Sequence, residues 1–258
     1  MHRTRPAATL VAVAHGSRDP RALRTVTALL DRVRELRPGL PVRLGHIELN
    51  APLLDDTLDA LAAGPSATDL PGGPAGAVLV PLLLGRGHHV KHDLPHAAAR
   101  AAAAGLRTRI AAPLGPHPLL VEALHDRLHE TGWTPGRGAA VVLAAAGSRD
   151  PQSATDARHT ARLLSERLGG TPVLPGYASA ATPTVPDAVR ALTARGLHRI
   201  AIASYFTAPG RFAAQSAAAG PGPAAAPLGD HPALARLVLH RYDHAPAHRP
   251  APALLGSA

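Results

Sequence analysis

The chain has 258 residues, 46% of them hydrophobic and 2% aromatic, with 24 Gly and 27 Pro. That length allows one or two domains with a substantial core, and Gly plus Pro stay below the roughly 25–30% that marks low-complexity disorder. Zero Cys excludes disulfide scaffolds, thiolate zinc sites, iron–sulfur clusters and Cys nucleophiles; a net charge of +9 favours an anionic partner, while scarce aromatics make nucleic acid a poor candidate.

In chain order, short apolar runs alternate with longer stretches of helical period. The basic start, residues 1–6, leads into a predicted strand over 9–14, which enters His15-Gly16-Ser17-Arg18-Asp19 instead of a cleavage site. No signal peptide is read, and no apolar run reaches the ~18 residues needed to span a bilayer. The expectation is therefore a cytoplasmic protein without membrane contact. A helix over 21–37, a strand over 42–49 and a helix over 51–63 follow. Beyond a Gly/Pro/Ser stretch at 64–76 come a strand over 78–84, a helix over 95–104, a strand over 108–112 and a helix over 118–129. Gly132, Pro135 and Gly136 break both periodicities and place a linker near 131–137.

The pattern then repeats. Val11-Ala12-Val13-Ala14-His15-Gly16-Ser17-Arg18-Asp19-Pro20 returns as Val142-Leu143-Ala144-Ala145-Ala146-Gly147-Ser148-Arg149-Asp150-Pro151, at an offset of 131 residues. Gly45 and Pro52 return as Gly176 and Pro183, and Ala112-Pro113-Leu114-Gly115 returns as Ala226-Pro227-Leu228-Gly229. Strand–helix alternation at this spacing predicts an α/β fold: two small, four-stranded parallel-sheet domains related by duplication, with an active-site cleft between them. The expected division is a catalytic domain over 1–131, a degenerate one over 138–245 and a loose tail over 246–258.

Ligands of open α/β sheets bind beyond the carboxyl ends of the strands. Three polar stations stand there in the first half: His15-Gly16-Ser17-Arg18, Glu48 at the close of the second strand, and Gly85-Arg86-Gly87-His88-His89. His92 and His96, at i and i+4, lack the His-Glu-x-x-His arrangement of zinc proteases. At the positions of His15, Glu48 and His89 the second copy reads Ala146, Ser179 and Arg211. Structural landmarks persist while all three candidate ligands vanish together, which points to one functional site in the first half with the second half as its opposite wall.

Ala14-His15-Gly16-Ser17-Arg18, Ile47-Glu48 with Pro52, and the run Val80-Pro81-Leu82-Leu83-Leu84-Gly85-x-Gly87-x-His89-Val90-Lys91-x-Asp93-Leu94-Pro95 resemble the sirohydrochlorin chelatase family. These class II chelatases insert Fe²⁺ or Co²⁺ into sirohydrochlorin, and the two-copy layout matches their long form. The resemblance implies metal-site histidines at His15 and His89 and an active-site glutamate at Glu48, with His88 on a variable position. It implies no permanently bound cofactor, the metal being a substrate.

The chemistry is coherent with those residues. Neutral imidazoles suit Fe²⁺ and Co²⁺, and the absence of thiolates avoids over-tight retention. A His titrating near neutrality can accept a pyrrole proton, with Glu48 as auxiliary base or metal-positioning carboxylate. Ser17, Arg18, Gly85, Arg86, Gly87 and Lys91 are the expected substrate-binding group, the cations facing the ring's peripheral carboxylates. A metal or tetrapyrrole carrier would use the same ligands. A histidine-type phosphatase would want Arg where Ala14 stands. Ligand chemistry does not choose between iron in siroheme synthesis and cobalt in cobalamin synthesis, and both a monomer and a homodimer are compatible with the chain.

Overall fold

Asp19 and Asp150 each stop a strand–turn and start a helix: their carboxylates accept from the Arg21 and Gln152 backbone N–H groups, with Pro20 and Pro151 at the first helical position. The computed structural model describes residues 7–64 and 76–246. The first half runs β1 (Thr9–Ala14), α1 (Pro20–Leu36), β2 (Val42–His46), α2 (Leu54–Ala62), β3 (Ala77–Pro81), α3 (His88–Lys91), α4 (Asp93–Ala103), β4 (Thr108–Ile110) and α5 (Pro118–His129). The second runs β5 (Ala139–Ala145), α6 (Pro151–Arg167), β6 (Val173–Tyr177), α7 (Val185–Ala194), β7 (Arg199–Tyr205), α8 (Arg211–Ala218) and α9 (Pro232–Asp243).

Both sheets are parallel, in the orders β2-β1-β3-β4 and β6-β5-β7. The central strands read as continuous apolar runs because helices cover both faces: every residue of β5 is buried, as is β1 from Leu10 on. The expected fourth strand of the second half is reduced to a single bridge, Ile202 with Ala224. Gly222 and Pro223 stand where the first half has Thr108 and Arg109, and Pro223 has no N–H to donate to a ladder.

The halves exchange their last helices. α5 packs on β7 and α6 of the second half, and α9 returns to pack on α1 and β3 of the first, the two helices also touching each other. One large buried cluster therefore runs through both halves, from Leu10, Leu30 and Val80 to Leu143, Leu164 and Leu237. His117 and His231 cap these helices in the same way, each ring Nδ1 accepting from the backbone N–H two residues on, Leu119 and Ala233. Cross-half bonds reinforce the exchange: Arg37 chelates Asp243, the Tyr242 hydroxyl donates to the Ala8 carbonyl, and Arg241 donates to the Leu114 carbonyl. The Gly/Pro/Ser stretch falls almost wholly outside the described residues, as does the expected tail beyond residue 246.

Candidate active site

The carboxyl ends of both sheets open onto one cleft of about 1420 Å³, with His15, Glu48 and His89 on one wall and Ser148, Tyr205 and Arg211 on the other. Its first-half wall is assembled by tight backbone turns. Gly16 has φ 101°, and a Cβ there would stand 1.9 Å from the Glu48 carbonyl oxygen. Only glycine lets the turn after β1 press against the turn after β2. Glu48 N–H donates to the His15 carbonyl at 3.0 Å, and Ser17 N–H donates to Asn50 Oδ1 at 2.6 Å.

These turns bring the expected ligands together. His15 Nδ1 lies 3.4 Å from Glu48 Oε1, both side chains about half exposed. The His15 and His89 rings meet edge to face, centroids 4.7 Å apart at 85°. Glu48 sits beyond β2, not on it as the apolar Ile-Glu-Leu run implied: the strand ends at His46, and Leu49 adopts φ 67°. His89 Nδ1 bonds Asp93 Oδ2 at 2.5 Å, one helical turn on. Asp93 appeared in the sequence only as a motif letter; its i,i+4 spacing from His89 is the signal that marks it. His88 stacks instead on His92, at 4.5 Å. As placed, no group of three His, Asp or Glu side chains among the described residues forms a metal-holding cluster.

The expected substrate-binding residues divide. Ser17, Arg18, Gly85 and Gly87 line the cleft. Ser17 Oγ also accepts from Asp19 N–H, which shapes the turn into α1. Arg86 and Lys91, expected in the same group, are not among its lining residues. Arg86 Nε and Nη2 bond the buried carboxylate of Asp156 at 3.1 and 2.6 Å, and Lys91 pairs with Asp150. Both cations are engaged by the second half. The Lys91 ammonium is also the main cause that holds the Asp150 carboxyl below its ordinary range.

The second wall repeats the backbone without the His15, Glu48 and His89 side chains. Gly147 has φ 90°, and a Cβ there would meet the Ser179 carbonyl oxygen at 1.8 Å. Sheet register corrects one equivalence: Leu79 pairs beside Val11 as Ile202 pairs beside Val142, which sets His89 against Phe212 and His88 against Arg211. The same register sets Asp93 against Ser216, whose buried Oγ has no partner. The His–Asp pair has thus gone as a unit. Tyr205 closes the floor, its hydroxyl donating to the Leu84 carbonyl at 2.7 Å, with burial pushing the phenol well above its usual range.

Two separate segments, residues 9–131 and 140–245, each match the CbiX family. The chain belongs to the CbiX family. Among characterised relatives, the sirohydrochlorin ferrochelatase of Bacillus subtilis is 30% identical over 178 residues, 68% of this chain and 64% of its own length. The sirohydrochlorin cobaltochelatase of Priestia megaterium is 25% identical over 75% of this chain and 62% of its own. The matches thus span under two thirds of either relative. SirB from Bacillus subtilis, solved with Fe³⁺, superposes with a TM-score of 0.73 at 24% identity, covering 92% of this chain and 94% of that one. It shares with this CbiX chain the two-body α/β fold. Among the described residues, no helix is long and apolar enough to cross a membrane.

Proposed function

We propose that this CbiX-family protein is a sirohydrochlorin chelatase that inserts Fe²⁺ or Co²⁺ into the ring, using the first half as the catalytic unit and the second as a degenerate wall. The observation that carries the reading is the meeting of His15, Glu48 and His89 in a cleft shared by both halves. At about 1420 Å³ the cleft exceeds the roughly 300–1,000 Å³ usual for small-molecule sites, which suits a macrocycle.

Insertion requires that the ion lose water, sit over the ring and replace two pyrrole N–H protons. His89, with Nδ1 committed to Asp93, presents Nε2 as its free nitrogen, the arrangement common to metal-binding imidazoles. His15 touches both His89 and Glu48. The His15–Glu48 pair takes one pyrrole proton as the metal enters, and water carries away the second. Arg18 and Arg211, on opposite walls, pair with the peripheral carboxylates. Ferrochelatase and cobaltochelatase relatives both support the reaction class, and the same His and Glu set accepts either ion.

The test is anaerobic mixing of sirohydrochlorin with Co²⁺ or Fe²⁺ while following the absorption change. Catalytic turnover above the uncatalysed rate, lost in His15→Ala, is expected. A stoichiometric change that stops at one ring per protein means a carrier and overturns the reading.

A further inference from the structure

Resting on the chelatase reading, we infer that the second half clamps the segment carrying His89, with the buried Asp156 as positioning residue. α3 holds only four residues, far short of the roughly 12 at which an isolated helix becomes even marginal in water. α4 supports it from behind, through His92 and the His89–Asp93 bond, and two further bonds, one at Arg86 just before it and one at Lys91 on its last residue, come from α6 and its cap.

Ahead of α3, Asp156 receives three hydrogen bonds from one residue: the Arg86 backbone N–H at 2.9 Å, Nε at 3.1 Å and Nη2 at 2.6 Å. Its side chain is 3% exposed, so the pair is well shielded on one side, and a bidentate guanidinium–carboxylate pair fixes angle as well as distance. After His89, the Lys91 ammonium pairs with Asp150, the residue that caps α6. The two anchors bracket His88-His89-Val90 and tie them to the rigid start of one helix.

The clamp runs in one direction only. At the equivalent positions of the other half, Asp156 becomes Thr25, Arg86 becomes Pro209 and Lys91 becomes Ala214, so nothing ties α8 back to α1 in this way. The half without ligands holds the half that has them. This gives the degenerate copy a task besides forming a wall: it sets where His89 points. Misplacement of a reacting group by about 1 Å can cost up to 100-fold in rate, so the expected loss is large for residues that never touch substrate.

The experiment compares Asp156→Asn, Arg86→Gln and the double variant of the full chain in two measurements: insertion kinetics, and hydrogen exchange of the amides at 87–91. Each single variant should lower kcat by about tenfold or more, leave the KM for sirohydrochlorin within about twofold, and speed exchange at 87–91; the double variant should be no worse than either single one. Arg86→Gln removes a half-exposed side chain and carries the test should Asp156→Asn fail to fold. A raised KM in Arg86→Gln with unchanged kcat in Asp156→Asn would instead make Arg86 a substrate contact and overturn the clamp. Unchanged exchange at 87–91 in Arg86→Gln also overturns it. Absence of turnover in the wild type defeats the chelatase reading alone, because exchange still decides the clamp.

Discussion

The two halves share a backbone and differ in what that backbone displays. Gly16 and Gly147 make the same close approach, Asp19 and Asp150 the same cap, His117 and His231 the same helix start. Yet His15, Glu48, His89 and Asp93 face Ala146, Ser179, Phe212 and Ser216 across the duplication. Features that shape the turns are therefore kept on both sides, while the side chains proposed to bind the metal and move protons stand on one. The lesson is that glycines and caps here report on fold, and only the side chains that differ report on chemistry.

The strongest way to break that comparison is at the shared glycines. Gly16→Ala and Gly147→Ala both force a Cβ into a carbonyl oxygen at a positive φ, and each should lower the melting temperature markedly. Gly16→Ala should in addition abolish insertion, since it separates His15 from Glu48; a Gly147→Ala protein that folds should keep measurable turnover. Equal and complete loss in folded samples of both would deny that only one half works.

A smaller effect is expected at Asp93. Asp93→Asn keeps the shape and weakens the hold on His89 Nδ1, and should lower kcat by roughly tenfold, in the range seen when outer partners of metal-binding histidines are changed. Steady-state kinetics at saturating ring decide it, and an unchanged kcat would confine Asp93 to starting α4. Smaller again, Arg18→Gln and Arg211→Gln should each raise the KM for sirohydrochlorin about three- to tenfold with little change in kcat, as exposed charge pairs are individually weak. A change confined to one of them would leave the carboxylates recognised from a single wall.

The least effect is on stability against pH. Burial, then Arg241 and the neighbouring His240 and His244, lower His117 to about 4, so its ring is neutral in the fold and Nδ1 is free to accept from Leu119. In the unfolded chain His titrates at about 6.5. The stability this neutral ring contributes is fully present above that pH and lost as pH falls toward 4. His231 is lowered for the same first reason, with Arg127 next, and carries the same sign. Thermal melts from pH 7 to 4 should fall, and His117→Asn, which keeps a capping oxygen, should flatten the fall; parallel curves for the two proteins would contradict it.

The central strands, the duplication and the stations His15, Glu48 and His89 were legible in the sequence, because continuous apolar runs ending in Gly and His are local signals. The end of β2 was not: Ile47-Glu48-Leu49 is apolar enough to continue a strand, and nothing local announces the positive φ of Leu49. The ion pairs of Arg86 and Lys91 were hidden, because Asp156 and Asp150 lie in the other half, 70 and 59 residues on in sequence. The exchange of α5 and α9 was equally hidden, since an amphipathic helix has the same pattern whichever sheet it covers. The pairing of His89 with Phe212 needed the sheet register, because Pro209-Gly210-Arg211 imitates the Gly-x-His spacing one residue early.

The most direct measurement is the rate of metal insertion into sirohydrochlorin by His89→Ala and Phe212→Ala, the two sides of that pairing. The account predicts a fall of about a hundredfold or more for His89→Ala and less than about threefold for Phe212→Ala, since only His89 presents a nitrogen to the ion. Wild-type rates for His89→Ala, or equal losses in both, would contradict it.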